Sequence, residues 1–297
     1  MRANDKLRDM QLCFDATNFG MGLDEAVKYA AEKGLPAVEF AFEAFEVTAK
    51  TAKLSEQESE YLQGVRSQCA RTGTRVACLR LNYVLDAADK KAVKNFQLMM
   101  RKMGALAAAV GCERVAFALR PSNDADRIET ASAAINPVLK DLDNLRIKLL
   151  LSLSTPLENR GMSLRGWRPL EPQEWRDLIA NCPGLSLSFS AADCAWQNIN
   201  YLQILPGLVQ AVEHVEANDV EINRELLQDS GLFGPLWWRY RKPGKGTIDW
   251  RQLIEALKMY DYQGVLSVRF DDEFLDTANG ALEETLEESV KFFTPLL

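Results

Sequence analysis

The sequence predicts an α/β fold: one domain, residues 1–297, of eight strand–helix units that closes as a (β/α)8 barrel. Three observations carry this. Strand-like and helix-like patterns alternate from end to end, the signature of a parallel α/β architecture. The 297 residues, 47% of them hydrophobic, suit one large core. No Ser/Gly/Pro-rich linker, low-complexity tract or long single-sign charge run marks a domain boundary.

Residues 10–15 (MQLCFD) read as the first strand, followed by an amphipathic helix over 23–33 that stops at Gly34. Residues 37–42 (AVEFAF) form a second strand, and Ser55 caps a helix running toward Thr72. The third strand is 75–81 (RVACLRL), and 89–110 is a long helix ended by Gly111. Residues 114–119 (RVAFAL) make the fourth strand and 125–145 the fourth helix, with Pro137 predicted to kink or break it. The fifth strand is 147–154 (IKLLLSLS). The sixth to eighth are 185–193 (LSLSFSAAD), 212–219 (VEHVEAND) and 264–272 (GVLSVRFDD), separated by helices near 200–212 and 250–260. Catalytic groups in such barrels sit at the C-terminal strand ends, and side chains alternate along each strand. Ser154, Ser190, Glu216 and Arg269 therefore occupy matching strand ends.

A net charge of −7 argues against a general nucleic-acid or membrane-surface binder, because phosphate backbones select clustered Lys and Arg. No stretch approaches the roughly 18 apolar residues of a transmembrane helix. The polar opening MRANDK lacks the apolar core of a signal peptide, so the expected location is cytoplasmic. The six cysteines (Cys13, Cys69, Cys78, Cys112, Cys182, Cys194) form no C-x-x-C pair and no zinc-ligand spacing. They read as small buried hydrophobes in a reducing compartment.

The last three strands and the segment PGKGTIDW (243–250) together resemble the xylose-isomerase-like TIM-barrel family, of the sugar phosphate isomerase/epimerase type. That family's motifs read F-D-x-x-H, H-x-H-x-K-D, G-x-L-x-I-E-x-E-D and G-x-G-x-I-D-W. The stretch 189–200 (FSAADCAWQNIN) is similar to its F-D-P-S-H-L-x-W-Q-G-x-D. The resemblance implies a barrel over the whole chain and a divalent metal at the tops of strands five to eight, held by Glu, Asp, His and Glu. At those positions stand Ser154 (or Ser152, two residues earlier), Ser190, Glu216 and Arg269, and Asp193 replaces the substrate-facing histidine.

A hard divalent ion wants several carboxylate or imidazole ligands, and two hydroxyls with a permanently charged guanidinium do not supply them. Unit charges about 4 Å apart interact by roughly 4 kcal/mol at an effective dielectric of 20, so Arg269 turns attraction for a cation into repulsion. The expectation is a barrel with no metal and no other cofactor. Glu216 and Arg269, on adjacent strands, then pair in the ion's place. The competing arrangement sends Arg269 to solvent, paired with Asp271 or Asp272.

The one histidine, His214, shares a strand face with Glu216, one layer deeper. It reads either as a hydrogen-bonded core residue or as a proton carrier, since its unperturbed pKa lies near neutrality. Asp193, Glu216 or Glu39 serves as acid or base only if burial or a like charge raises its pKa. The catalytic candidates are thus Glu216, Arg269, Asp193 and His214. Inward parity on strands five, six and eight collects Ser152, Ser154, Ser186, Ser188, Ser190 and Ser267, either a polyol-binding lining or small packing residues.

Beyond strand seven, WWRYRK (237–242) followed by Gly244, Lys245 and Gly246 joins four cations to three aromatics without an acid. Arg239, Arg241 and Lys245 there suit a phosphate or carboxylate; the segment reads equally as a lid or a subunit interface. With Glu39, Ser154, Ser190 and Asn218 they make up the substrate-binding candidates. Further polar residues near strand ends are Asp15, Asn18, Glu43, Arg80, Asn82 and Arg120.

Three functions stay open at this point. The first is a barrel that binds a small sugar, polyol or sugar acid and is catalytically silent. The second is a divergent, metal-independent isomerase, epimerase or lyase with Arg269 or a loop cation as electrophile. The third is a structural subunit with a vestigial pocket. The expected partner is a small-molecule sugar or sugar acid, with neither nucleic acid nor membrane. The resemblance admits a homodimer, for which the sequence identifies no interface, and the family's endonucleases, which need still more zinc ligands, are excluded.

Overall fold

The computed structural model describes residues 10–47, 52–120, 122–153, 169–232, 234, 236–272, 275 and 280–297. Eight parallel strands close into a barrel: β1 (Gln11–Asp15), β2 (Ala37–Glu43), β3 (Arg75–Asp86), β4 (Arg114–Arg120), β5 (Lys148–Ser152), β6 (Leu185–Ser190), β7 (Val212–Ala217) and β10 (Val265–Val268). They pair in that order, and β10 returns to β1 through Cys13↔Ser267 and Phe14↔Val268. The expected eight-stranded barrel is present.

Alternation along each strand sorts the side chains. Outward residues such as Leu12, Phe14, Val115, Phe117, Leu187 and Leu266 join one large core shared with the surrounding helices. The inward row is made of small residues at its lower levels: Cys13, Ala37, Ala77 and Val265 in one cluster, Cys78, Ala116 and Leu150 in another. Narrow packing there leaves the upper layer for larger polar groups. All six cysteines are free, five of them buried, and burial pushes each thiol up, as expected of inert core residues.

The main helices follow the sequence closely; α2 (Ala44–Val47) is a short turn after β2, and α6 (Pro172–Asn181) precedes β6. α1 (Leu23–Glu32) buries Leu23, Ala26, Val27 and Ala30 at helical spacing. α3 (Glu56–Thr72) starts at Ser55, whose hydroxyl accepts from Glu58 N, and α4 (Lys90–Val110) stops at Gly111 in the left-handed region. α5 (Arg127–Asp143) runs unbroken through Pro137, because Ala131, Ala134, Ile135, Val138 and Leu142 hold it against the barrel. β3 extends to Asp86, beyond the expected end at residue 81, since its register against β4 shifts between Arg80 and Val84.

The segment after β7 differs from the open loop that its composition suggested. β8 (Asp219–Ile222) and β9 (Trp238–Arg241) form an antiparallel pair with Asp219 opposite Arg241 and Glu221 opposite Arg239. Trp237, Trp238 and Tyr240 are buried, and Trp238 stacks on Trp196 of α7 (Ala191–Trp196) at 4.6 Å. Asp219 anchors the return of the chain: its carboxylate accepts from the amides of Val220 (2.8 Å), Ile248 and Gly244 (3.0 Å each) and from Trp250 Nε1 (3.1 Å).

Gly246 packs directly on this clamp. A Cβ there would lie 2.2 Å from Asp219 Oδ1 and 2.4 Å from Val220 O. Gly246→Ala is therefore expected to lower stability by about 1–3 kcal/mol, the usual cost of overpacking, as read from urea unfolding. An unchanged midpoint would show that the loop relaxes freely.

Candidate functional site: a buried ion cluster at the barrel mouth

Acidic residues of β1, β2 and β7 converge on one guanidinium. Arg269, just beyond β10 and 3% exposed, places Nη1 2.9 Å from both Asp15 Oδ2 and Glu39 Oε1. Its Nη2 lies 3.3 Å from Glu216 Oε2, and its Nε 3.7 Å from Asp271 Oδ2. The expected Glu216–Arg269 pair is present, and the solvent-exposed alternative is not. Asp15 and Glu39 join the pair. The sequence did not place them there, for they lie 254 and 230 positions away along the chain.

A second arginine closes the other side. Arg80 on β3 donates from Nη2 to Asp15 Oδ2 (2.6 Å) and Thr17 Oγ1 (3.0 Å), and its Nε is 3.4 Å from Glu39 Oε1. Burial alone would raise the Glu39 carboxyl, but Arg269, His214 and Arg80 outweigh it and hold the group well below 4.5. Burial likewise works against the charge on Arg269, and Glu216, Glu39 and Asp15 reverse it, holding the guanidinium firmly protonated.

The serines serve the carboxylates. Ser152 and Ser188 donate to Glu216 Oε1 at 2.7 and 2.8 Å, and Ser267 donates to Glu39 Oε2 at 2.6 Å. His214 completes Glu39 with Nε2 at 2.8 Å. Most of these hydroxyls are thus committed to orienting buried charge. Ser154 lies outside the described residues.

Asp193 belongs to a neighbouring group. It is held by Ser190 Oγ (2.6 Å), Trp196 Nε1 (3.2 Å) and Tyr240 OH (2.8 Å), which tie β6, α7 and β9 together. Ser190 also lies 3.3 Å from Asn218 Oδ1. The basic segment is neutralised by acids that linear reading did not pair with it. Arg239 and Arg241 both bind Glu221, and Arg241 also reaches Asp272; Lys242 binds Glu288. Lys245 is exposed. Arg239 and Arg241 therefore act first as hairpin ties. Elsewhere on the rim, Asn82 donates to Glu43, Asn18 donates to the carbonyl of Phe270, and Arg120 lies opposite Asp86 in the sheet.

Asp271, which the sequence offers only as a partner for Arg269, is a further residue of the site. Its side chain is 30% exposed, against 6% for Asp15, 2% for Glu39 and 1% for Glu216. The surrounding protein desolvates the carboxyl and raises it above its usual value, with Arg269 and Arg80 acting in the opposite direction. The signal in the sequence was its position, two residues beyond Arg269.

Chemically, the floor of the mouth is a fixed cation ringed by acids. Both Nη atoms of Arg269 are turned to carboxylates, so the guanidinium stabilises these acids and is not presented to a developing oxyanion. Among the described residues no three His, Cys, Asp or Glu side chains are grouped to hold a metal ion, and no helix is long and apolar enough to cross a membrane.

Comparisons with known proteins agree with the barrel. A xylose isomerase domain protein from Planctomyces limnophilus superposes with a TM-score of 0.71 at 14% identity, over 97% of this chain and 96% of that one. One from Alicyclobacillus acidocaldarius gives 0.69 at 19% identity, covering 97% and 99%. A D-psicose 3-epimerase gives 0.68 at 12% identity, also covering 97% and 99%. At such identities the likeness establishes the fold alone. No match was found among curated protein sequences. The sequence profile of one family, however, spans residues 27–296, and by that match the chain belongs to the xylose isomerase-like TIM barrel family.

Proposed function

We propose that this barrel binds a small sugar, polyol or sugar acid at its mouth without the divalent metal of its relatives, and that it is catalytically silent. The observation that carries the reading is the seat of Arg269, hydrogen-bonded to Asp15 and Glu39 and paired with Glu216. The donor set does not fit the metal. A cation near Glu216 would meet the hydroxyls of Ser152 and Ser188, and would have to displace a guanidinium already bound to the available acids.

The same seat argues against the enzymatic reading, because an electrophile must face the reacting oxygen. The vestigial reading is weakened by the rim, where Arg80 and Asp271 keep 19% and 30% of their side chains exposed. A small polyhydroxylated ligand meets both a donor and an acceptor there, and a cytoplasmic setting fits such a ligand.

Two measurements test this. Purified protein loaded with manganese, zinc or magnesium and then gel-filtered is expected to retain no stoichiometric metal, and sugars and polyols are expected to raise its melting midpoint. One tightly held ion per chain, or turnover of a sugar, would overturn the proposal.

A further inference from the structure

The cluster has a charge imbalance that points to the class of ligand. Four carboxylates, Asp15, Glu39, Glu216 and Asp271, face two guanidinium groups, Arg80 and Arg269. Two negative charges remain before His214 is counted. Three of the four acids are sealed and saturated with hydrogen bonds or ion pairs. Asp271 is different: its sole described ion pair is the 3.7 Å approach to Arg269, longer than a hydrogen bond, and three tenths of its side chain meets solvent. A ligand that enters the mouth therefore meets this carboxylate first among the four.

An observation independent of charge marks the same mouth. Asn218 is 1% exposed and lies two residues beyond Glu216, just past the end of β7. Its Oδ1 faces Ser190, and its Nδ2 has no hydrogen-bond partner. A buried amide donor without a partner is costly, and a hydroxyl oxygen of a ligand seated in the mouth would relieve it.

We infer that the mouth selects a small polyol bearing an ammonium group, an amino sugar or aminopolyol, with Asp271 receiving the cation and Asn218 Nδ2 a hydroxyl oxygen. This rests on the sugar-binding reading above and narrows it. Sugar acids are disfavoured, since Arg239 and Arg241 are bound to Glu221 and the floor carries excess negative charge.

The test is calorimetry and thermal shift on the full chain with matched hexose and pentose trios, each an amino sugar, its parent sugar and its aldonic acid. The amine is expected to bind about tenfold more tightly than the parent sugar, the ratio of one charge-assisted hydrogen bond, and the aldonate least. Asp271→Asn should erase the preference for the amine while leaving the unliganded melting midpoint nearly unchanged. Asp272→Asn, which removes the negative charge from the acceptor shared by Arg241 and the Lys242 amide, should lower the midpoint and preserve the preference. Tightest binding of the aldonates would overturn this inference and leave the sugar-binding reading intact. A preference that survives Asp271→Asn would remove Asp271 from the site. Binding of no compound in the panel would overturn both.

Discussion

Replacing Arg269 with methionine is expected to lower the melting midpoint by on the order of 10 °C. The substitution leaves Asp15, Glu39 and Glu216 buried with their shared cation gone. Removing one partner of a buried ion pair costs about 3–5 kcal/mol, and each kcal/mol moves the midpoint of a domain this size by roughly 2–4 °C. Methionine fills similar space, so the loss reports on charge more than on a cavity. The double variant Arg269→Met with Glu39→Gln should regain part of the loss, because one uncompensated carboxylate is removed together with the guanidinium. A single-variant shift below about 2 °C would show that the acids are stabilised by other means.

Glu39→Gln is expected to be the second most damaging change, by about 3 kcal/mol at pH 7, and to alter the response to acid. Glu39 accepts from Ser267 and Arg269 and meets His214 Nε2 and Arg80 Nε. Its carboxyl is held well below 4.5 in the folded protein. A depressed carboxyl contributes stability that is fully present above the unfolded value and lost as pH falls through the folded one. The wild type should therefore lose stability steeply below pH 4.5, and Glu39→Gln should show a shallower decline from a lower starting point. Urea unfolding at a series of pH values between 7 and 3 gives both quantities. Parallel curves for the two proteins would mean that Glu39 is not the group that titrates.

How legible this was in the sequence depended on range. Strand order, the helix stops at Gly34 and Gly111 and the cap at Ser55 were readable because they rest on local periodicity and backbone conformation. The Glu216–Arg269 pair was readable because family motifs placed both at neighbouring strand ends. Asp15 and Arg80 appeared only as isolated polar residues, since nothing local reveals that a strand-end Asp will meet an arginine 254 positions later. The hairpin failed for a related reason. Fifteen residues separate Ile222 from Trp238, so Glu221 was not seen as the acid of the basic segment, and three aromatics destined for the interior looked like an exposed lid. The serines were readable as inward-facing, but not as donors to particular carboxylates.

The closure of the sheet between β1 and β10 bears on how the chain is made. Vectorial synthesis delivers Asp15, Glu39 and Arg80 early and Arg269 nearly two hundred residues later. Until then the first acids lack their main counter-ion and are best left hydrated, which discourages the nascent half-barrel from collapsing on them. The last strand is thus expected to act as a latch that admits these charges to the interior only when all eight staves are present. A ribosome stalled before residue 264 would carry an open, acid-lined sheet, an easily recognised target for chaperones and proteases.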